Sequence, residues 1–134
     1  PDAVPPRGAF AYTIGLESTF GFPEVVVFGL TPVAASGLLG EVVDLLRSGT
    51  QLPVGALFVG LLDNDLRCAL LPVDVTEHLE LFETASAWHR RTTFGVVQLV
   101  WPDRNGWMPW ESGFDARMRF AQPVIGTFDG TDEG

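Results

Sequence analysis

The sequence contains no lysine: its 8 basic residues are all arginines, set against 17 acidic ones, for a formal charge of −9. That field repels nucleic-acid backbones, whose binding depends on neutralising phosphates with bases. A cationic ligand, a basic partner or no charged partner fits it better. Without lysine the GxxxxGK[ST] phosphate loop cannot exist, and the glycines never form GxGxxG. Nucleotides and dinucleotides are therefore poor ligands to expect.

Cysteine is almost as scarce. Cys68 stands alone, so no internal disulfide can form, and its setting in Leu66-Arg67-Cys68-Ala69-Leu70-Leu71 marks it as a small buried hydrophobe. The two histidines, His78 and His89, fall on one expected helix, where their spacing puts them about 16 Å apart along the axis. They cannot share a metal ion. Neither HExxH nor CxxC occurs, so no metal and no cofactor is expected, and each histidine reads as a helix-surface or rim residue. No apolar run approaches the roughly 18 residues of a membrane span, and no basic stretch leads into an apolar one as a secretory signal requires. A cytoplasmic chain without membrane contact is expected.

What the sequence does hold is apolar material: 46% of its 134 residues are hydrophobic, including 10 phenylalanines. That suffices for one core and one domain. Residues 1–8, rich in proline, read as an extended arm, residues 9–126 as a single α+β domain, and residues 127–134 as an acidic tail. Phe10, Tyr12, Ile14 and Leu16 alternate as on a half-buried strand. Glu17 to Pro23 reads as a loop, and Glu24 to Leu30 as a central strand buried on both faces. Thr31-Pro32 has the form of a helix start, with a capping hydroxyl and proline in the first turn. The helix expected from Pro32 to Arg47 carries Val33, Leu38 or Leu39, Val42 or Val43, and Leu45 or Leu46 as its apolar stripe, with Gly37 and Gly40 allowing close packing on the sheet.

Leu57 to Leu62 and Leu66 to Val73 flank Asp63-Asn64-Asp65 as a hairpin. Asp74-Val75-Thr76-Glu77 resembles a capping box, opening a second helix to Arg91 with Val75, Leu79, Phe82, Ser86 and His89 on one face. Thr92 to Trp101 then reads as a strand. Ala116 to Val124 reads as a short last one. Together these predict an antiparallel or mixed sheet of five to seven strands with two main helices packed on it.

Between the last two strands lies Trp101-Pro102-Asp103-Arg104-Asn105-Gly106-Trp107-Met108-Pro109-Trp110-Glu111, which holds three of the four tryptophans. It reads as a tight corner and a short return strand. Prolines cannot donate to a ladder, so the corner belongs at a sheet edge or rim. Trp107 and Trp110 would point to opposite faces of a regular return strand, leaving at least one indole at a pocket mouth or an intermolecular contact.

Several motifs in order carry a resemblance. Tyr12-Thr13-Ile14-Gly15-Leu16, then Phe22-Pro23-Glu24 before a β run ending Gly29-Leu30, then Gln98-Leu99-Val100-Trp101-Pro102-Asp103 with Gly106 and Pro109-Trp110, resemble a bacterial family of domains of unknown function, DUF4262. The resemblance spans roughly residues 10 to 111 and implies no particular reaction. It does imply a histidine where Phe22 stands, so any chemistry resting on that histidine is lost here.

Three functions compete. The first is a ligand- or protein-binding module using an aromatic, carboxylate-edged rim of Trp101, Asp103, Arg104, Trp107 and Trp110, with Tyr12 and Glu24 as neighbours; aromatic and arginine residues dominate binding energetics. The second is a small cofactor-free enzyme with Glu24 or Asp103 as general base beside Tyr12 or His78. The third is a structural subunit whose tryptophans fill a core or a dimer seam. The partner is accordingly a small molecule or a protein, not nucleic acid, and self-association stays open.

Overall fold

Val25-Val26-Val27-Phe28 has no polar side chain on either face, and burial on both sides is what the fold delivers: every residue of that strand is buried. The computed structural model describes residues 9–90 and 94–127. The expected N-terminal arm, Arg91, Thr92 and Thr93, and the tail beyond Thr127 lie outside the described residues. The elements are β1 (Phe10–Tyr12), α1 (Leu16–Phe20), β2 (Glu24–Phe28), α2 (Pro32–Arg47), β3 (Leu57–Phe58), β4 (Cys68–Pro72), α3 (Glu83–His89) and β5 (Val96–Val100). They make one α+β domain around a mixed sheet in the order β1-β2-β5-β4-β3. β2 and β5 run parallel, with Glu24 opposite Val96, and the other neighbours are antiparallel.

Alternation along β2 splits the core into two layers. Val25 and Val27 meet Ala35, Leu39 and Val42 of α2 on one side, while Val26 and Phe28 meet Val75, Leu81, Phe82 and Ala85 on the other. Each fully buried side chain of this size contributes about 1.5–3 kcal/mol relative to exposure. Thr31 caps α2 as expected, accepting from the Ala34 N–H at 3.2 Å. Leu39 and Val42 of the expected α2 stripe are buried, but at its start Ala35 lies inside and Val33 is 84% exposed. Gly37 and Gly40 face open space, so they do not serve close packing on the sheet.

Several expected elements are replaced. Residues 16–20 form α1 instead of strand and loop. The hairpin strands pair as expected, Leu57 opposite Ala69, but only Leu57–Phe58 and Cys68–Pro72 are strand. The second helix is not continuous: it consists of 3₁₀ turns at Val75–Glu77 and Leu79–Leu81 followed by α3. The breaks at His78 and Phe82 turn Leu81 inward and leave Leu79 38% exposed, so burial of Leu81 outweighs helical continuity. Asp74 still caps, accepting from the Thr76 N–H at 3.1 Å.

No return strand follows the tryptophan corner, and Ala116–Arg119 is a 3₁₀ turn, not a strand. Two buried glutamines hold the chain there instead. Gln98 Oε1 accepts from the Ile125 and Gly126 N–H groups, and its amide donates to Pro123 O at 2.8 Å. Gln122 exchanges two bonds with the backbone of Trp101, both 2.8 Å.

Candidate functional site

The corner is built by Asp103. Its Oδ1 accepts the N–H groups of Asn105 and Trp107, each at 2.9 Å, and its Oδ2 accepts that of Asp115 at 2.8 Å. A turn-forming carboxylate satisfying successive N–H groups is the ordinary chemistry of aspartate after a strand. Here it also ties the corner to the segment leading into Ala116–Arg119. Burial alone would push the Asp103 carboxyl up, but the N–H groups of Trp107, Asp115 and Asn105 outweigh it and hold the group below its usual range. Glu111 fastens the far side: it takes two bonds from Arg67, at 2.6 and 2.9 Å, and one from Met108 N–H at 2.8 Å, while Arg67 also donates to Gly106 O. The Arg67 guanidinium holds the Glu111 carboxyl low.

The three tryptophans of the corner do different things. Trp101 is buried, and its indole N–H donates to Phe28 O at 2.8 Å. Trp107 and Trp110 are 43% and 37% exposed. The corner caps the carboxyl end of the central strand β5 instead of a sheet edge, next to the carboxyl end of the parallel strand β2. Ligands in sheets with parallel strands favour such ends.

Two of the cavities at the corner share Trp101, Pro102, Asp103 and Arg104. One, of about 450 Å³, is lined by Trp101, Pro102, Asp103, Arg104, Asp115, Arg117 and Met118. The other, of about 300 Å³, shares the first four of these and continues to Leu30, Leu38, Leu62 and Leu66. Arg104 is exposed and lines both. Among the described residues no carboxylate lies within ion-pair distance of it, whereas Arg117 is held by Asp115 at 2.9 Å.

Tyr12 and Glu24 do not join this rim. Glu24 begins β2 and Trp101 follows β5, so about five residues of strand, roughly 16 Å, separate their levels. Tyr12 packs edge-on against Phe82, with ring centres 5.2 Å apart, in the opposite core layer. Glu24 belongs to a second cluster: its carboxylate accepts from Thr13 Oγ1 at 2.8 Å, from the N–H of Gly15 at 2.8 Å and Leu16 at 3.1 Å, and faces His89 Nε2 at 3.1 Å. The expectation of His89 at a helix surface is corrected here. Its side chain is 4% exposed, stacked on Phe94, with Nδ1 3.8 Å from Glu17. The signal was its place on the apolar face with Phe82. His78, proposed beside a catalytic carboxylate, is not part of either cluster. Met118, Asp115 and Arg117 of the corner cavity were not expected, because the bonds that bring them in, Asp103 to Asp115 and Gln122 to Trp101, join residues far apart in the chain. Among the described residues no three histidine, cysteine or acidic side chains converge as a metal would need.

The family described as Domain of unknown function (DUF4262) matches residues 2–115. The chain belongs to that family. No curated protein and no solved structure matches it significantly. In this DUF4262 member the two N-terminal motifs are one hydrogen-bonded unit: Thr13 Oγ1 donates to Glu24 and accepts from Val25 N–H at 2.9 Å. Phe22 packs against the α2-side core.

Proposed function

We propose that the chain is a binding module whose ligand occupies the corner at the carboxyl ends of β2 and β5. The observation that carries this reading is that Trp101, Pro102, Asp103 and Arg104 wall two adjoining cavities, of about 450 and 300 Å³, at the parallel strand pair. Ligand sites are concave and mostly apolar, with a few polar groups to fix orientation. Pro102, Met118 and the leucines supply the apolar walls; of the polar groups, Asp103 is held by backbone N–H groups and Asp115 pairs with Arg117, which leaves Arg104 to meet a ligand. Guanidinium reads carboxylates and phosphates by paired N–H bonds. The ligand class is therefore a small molecule with a flat apolar body and one anionic group. The net charge points the other way, to cationic partners, but it is a property of the whole surface, whereas Arg104 acts at contact distance within a Debye length of about 8 Å.

The enzyme alternative has less support. Asp103 is held in its ionised form by three backbone bonds, and Glu24 is occupied by Thr13, Gly15, Leu16 and His89. A general base at neutral pH needs a raised pKa and a free lone pair. A protein partner has one observation in its favour: Phe120 is 87% exposed, on the same segment as Met118. The structural-subunit reading, with the tryptophans as core, is weakened by the exposure of Trp107 and Trp110. Among the described residues no helix is long and apolar enough to cross a membrane. We propose a bacterial cytoplasmic location, in keeping with a single cysteine in the sequence.

The test is fluorescence titration with 1-anilinonaphthalene-8-sulfonate, a flat aromatic anion. Saturable binding to the native chain is expected, weakened about tenfold by Arg104→Gln, which equals about 1.4 kcal/mol. Equal binding by the variant, or no saturable binding by the parent, overturns the reading.

A further inference from the structure

Among the described residues β1 is an outer strand, paired to β2 on one side only. Bonds from Gly29 N–H to Ala9 O and from Thr13 N–H to Val25 O fix the phase of that ladder. Ala9, Ala11 and Thr13 therefore turn their backbone groups toward β2, and alternation turns those of Phe10 and Tyr12 outward. Among the described residues nothing pairs with them. Natural edge strands are protected from pairing by a charge, a proline or a bulge. β1 has none of these: Ala9-Phe10-Ala11-Tyr12-Thr13-Ile14-Gly15-Leu16 is wholly uncharged in a chain with 17 acids and 8 arginines. Beside it runs a groove of about 350 Å³ between β1 and α2, lined by uncharged residues including Ala11, Leu30, Pro32, Ala35, Ser36 and Leu39.

We propose that this edge is the seam of a homodimer, in which β1 pairs antiparallel with β1 of a second copy about a twofold axis through Ala11. Phe10 of each copy then lies opposite Tyr12 of the other, and the outward N–H and C=O groups of both residues are satisfied in four hydrogen bonds. A second copy fits better than an unrelated strand on two grounds. The pattern of outward groups reads the same in both directions about Ala11, whose methyl lets the two backbones close at the axis. Two chains of charge −9 repel over most of their surface, and the repulsion is least where neither presents a carboxylate. Four hydrogen bonds do not by themselves hold a dimer against the entropy of association; the apolar groove beside the seam supplies the remaining burial.

Sedimentation across a dilution series, combined with residue-resolved amide exchange, tests this on the full chain. The expected result is a two-copy species at high concentration in which the Phe10 and Tyr12 amides gain about tenfold protection over the diluted chain, while the Ala11 and Thr13 amides are protected throughout. Ser36→Arg, at an exposed groove position of α2, is expected to give a folded single copy. Because the added arginine lowers the net negative charge, loss of pairing would report on the groove and not on overall repulsion. A single copy at every concentration overturns the proposal, whether or not Phe10 and Tyr12 are protected. So does a dimer whose Phe10 and Tyr12 amides exchange freely, or one that Ser36→Arg leaves intact.

Discussion

Glu24 and His89 lie 65 positions apart in the chain and 3.1 Å apart in the fold, both buried. Glu24 does more than meet the histidine. Gly15 offers α1 no side-chain cap, and the Glu24 carboxylate takes the N–H groups of Gly15 and Leu16 in its place. Glu24→Gln would turn an amide donor against those N–H donors, and a loss of about 2–4 kcal/mol in urea unfolding is expected. His89→Ala leaves the capping bonds in place and should cost about 1–3 kcal/mol. The opposite order would mean that docking of α3, and not capping of α1, is what Glu24 provides.

Acid should unfold the chain through the corner. The carboxyls of Asp103 and Glu111 are held below their usual range, Asp103 by backbone N–H groups that overcome its burial and Glu111 chiefly by Arg67. A group whose folded pKa lies below its unfolded one contributes stability that is complete above the unfolded value, roughly 3.9 for Asp and 4.3 for Glu, and lost as pH falls through the folded value. The urea midpoint is therefore expected to be flat near neutrality and to drop below about pH 4. Asp103→Asn should lower the neutral midpoint and make that drop shallower. An unchanged acid profile in the variant would remove Asp103 from the account.

Two glycines beside the corner should respond differently to alanine. At Gly29, with φ +86°, a Cβ would lie 2.6 Å from Ala121 O and 3.0 Å from the Trp101 ring. Backbone cannot yield as a side chain can, so Gly29→Ala should destabilise by about 2 kcal/mol or more. At Gly113 the obstacle is the half-exposed indole of Trp107, which can swing away. Gly113→Ala should leave the unfolding midpoint nearly unchanged while shifting the tryptophan emission toward that of an exposed indole. Comparable destabilisation at both sites would show that Trp107 is clamped.

Local rules were legible in the sequence wherever the cause lies within a few residues. Thr31 and Pro32 start α2 by their own chemistry, and the apolar run of β2 announces a strand covered on both sides. What sequence reasoning missed is caused at a distance. α1 has no capping side chain of its own, so Leu16 to Phe20 looks like strand and loop until Glu24 is seen to cap it. The run from Asp74 has a good helical period, yet Leu81 replaces Leu79 in the core because the sheet's second face offers it a place. At the corner, Asp103 was legible as a turn former. Its bond to Asp115 was not, and that bond brings Arg117 and Met118 to the cavity. The tryptophan corner and Glu24 also looked like neighbours because both follow or begin strands; the parallel pairing puts them at opposite ends.

The recognisable part of the chain and the part that must fold together are not the same. The family match stops at residue 115, but Gln98 and Gln122 bind the segment from 122 to 126, and Thr127 N–H reaches Pro72 O at 2.9 Å. A cut after residue 115 would strip Trp101 of both amide bonds and remove the Pro123, Ile125 and Gly126 partners of the Gln98 amide, which is 0% exposed in the full chain. Buried polar groups without partners cost more than their bonds return. The shortest autonomous unit is thus set by two glutamine side chains acting as a latch, and it extends at least eleven residues past the last position at which the family can be read.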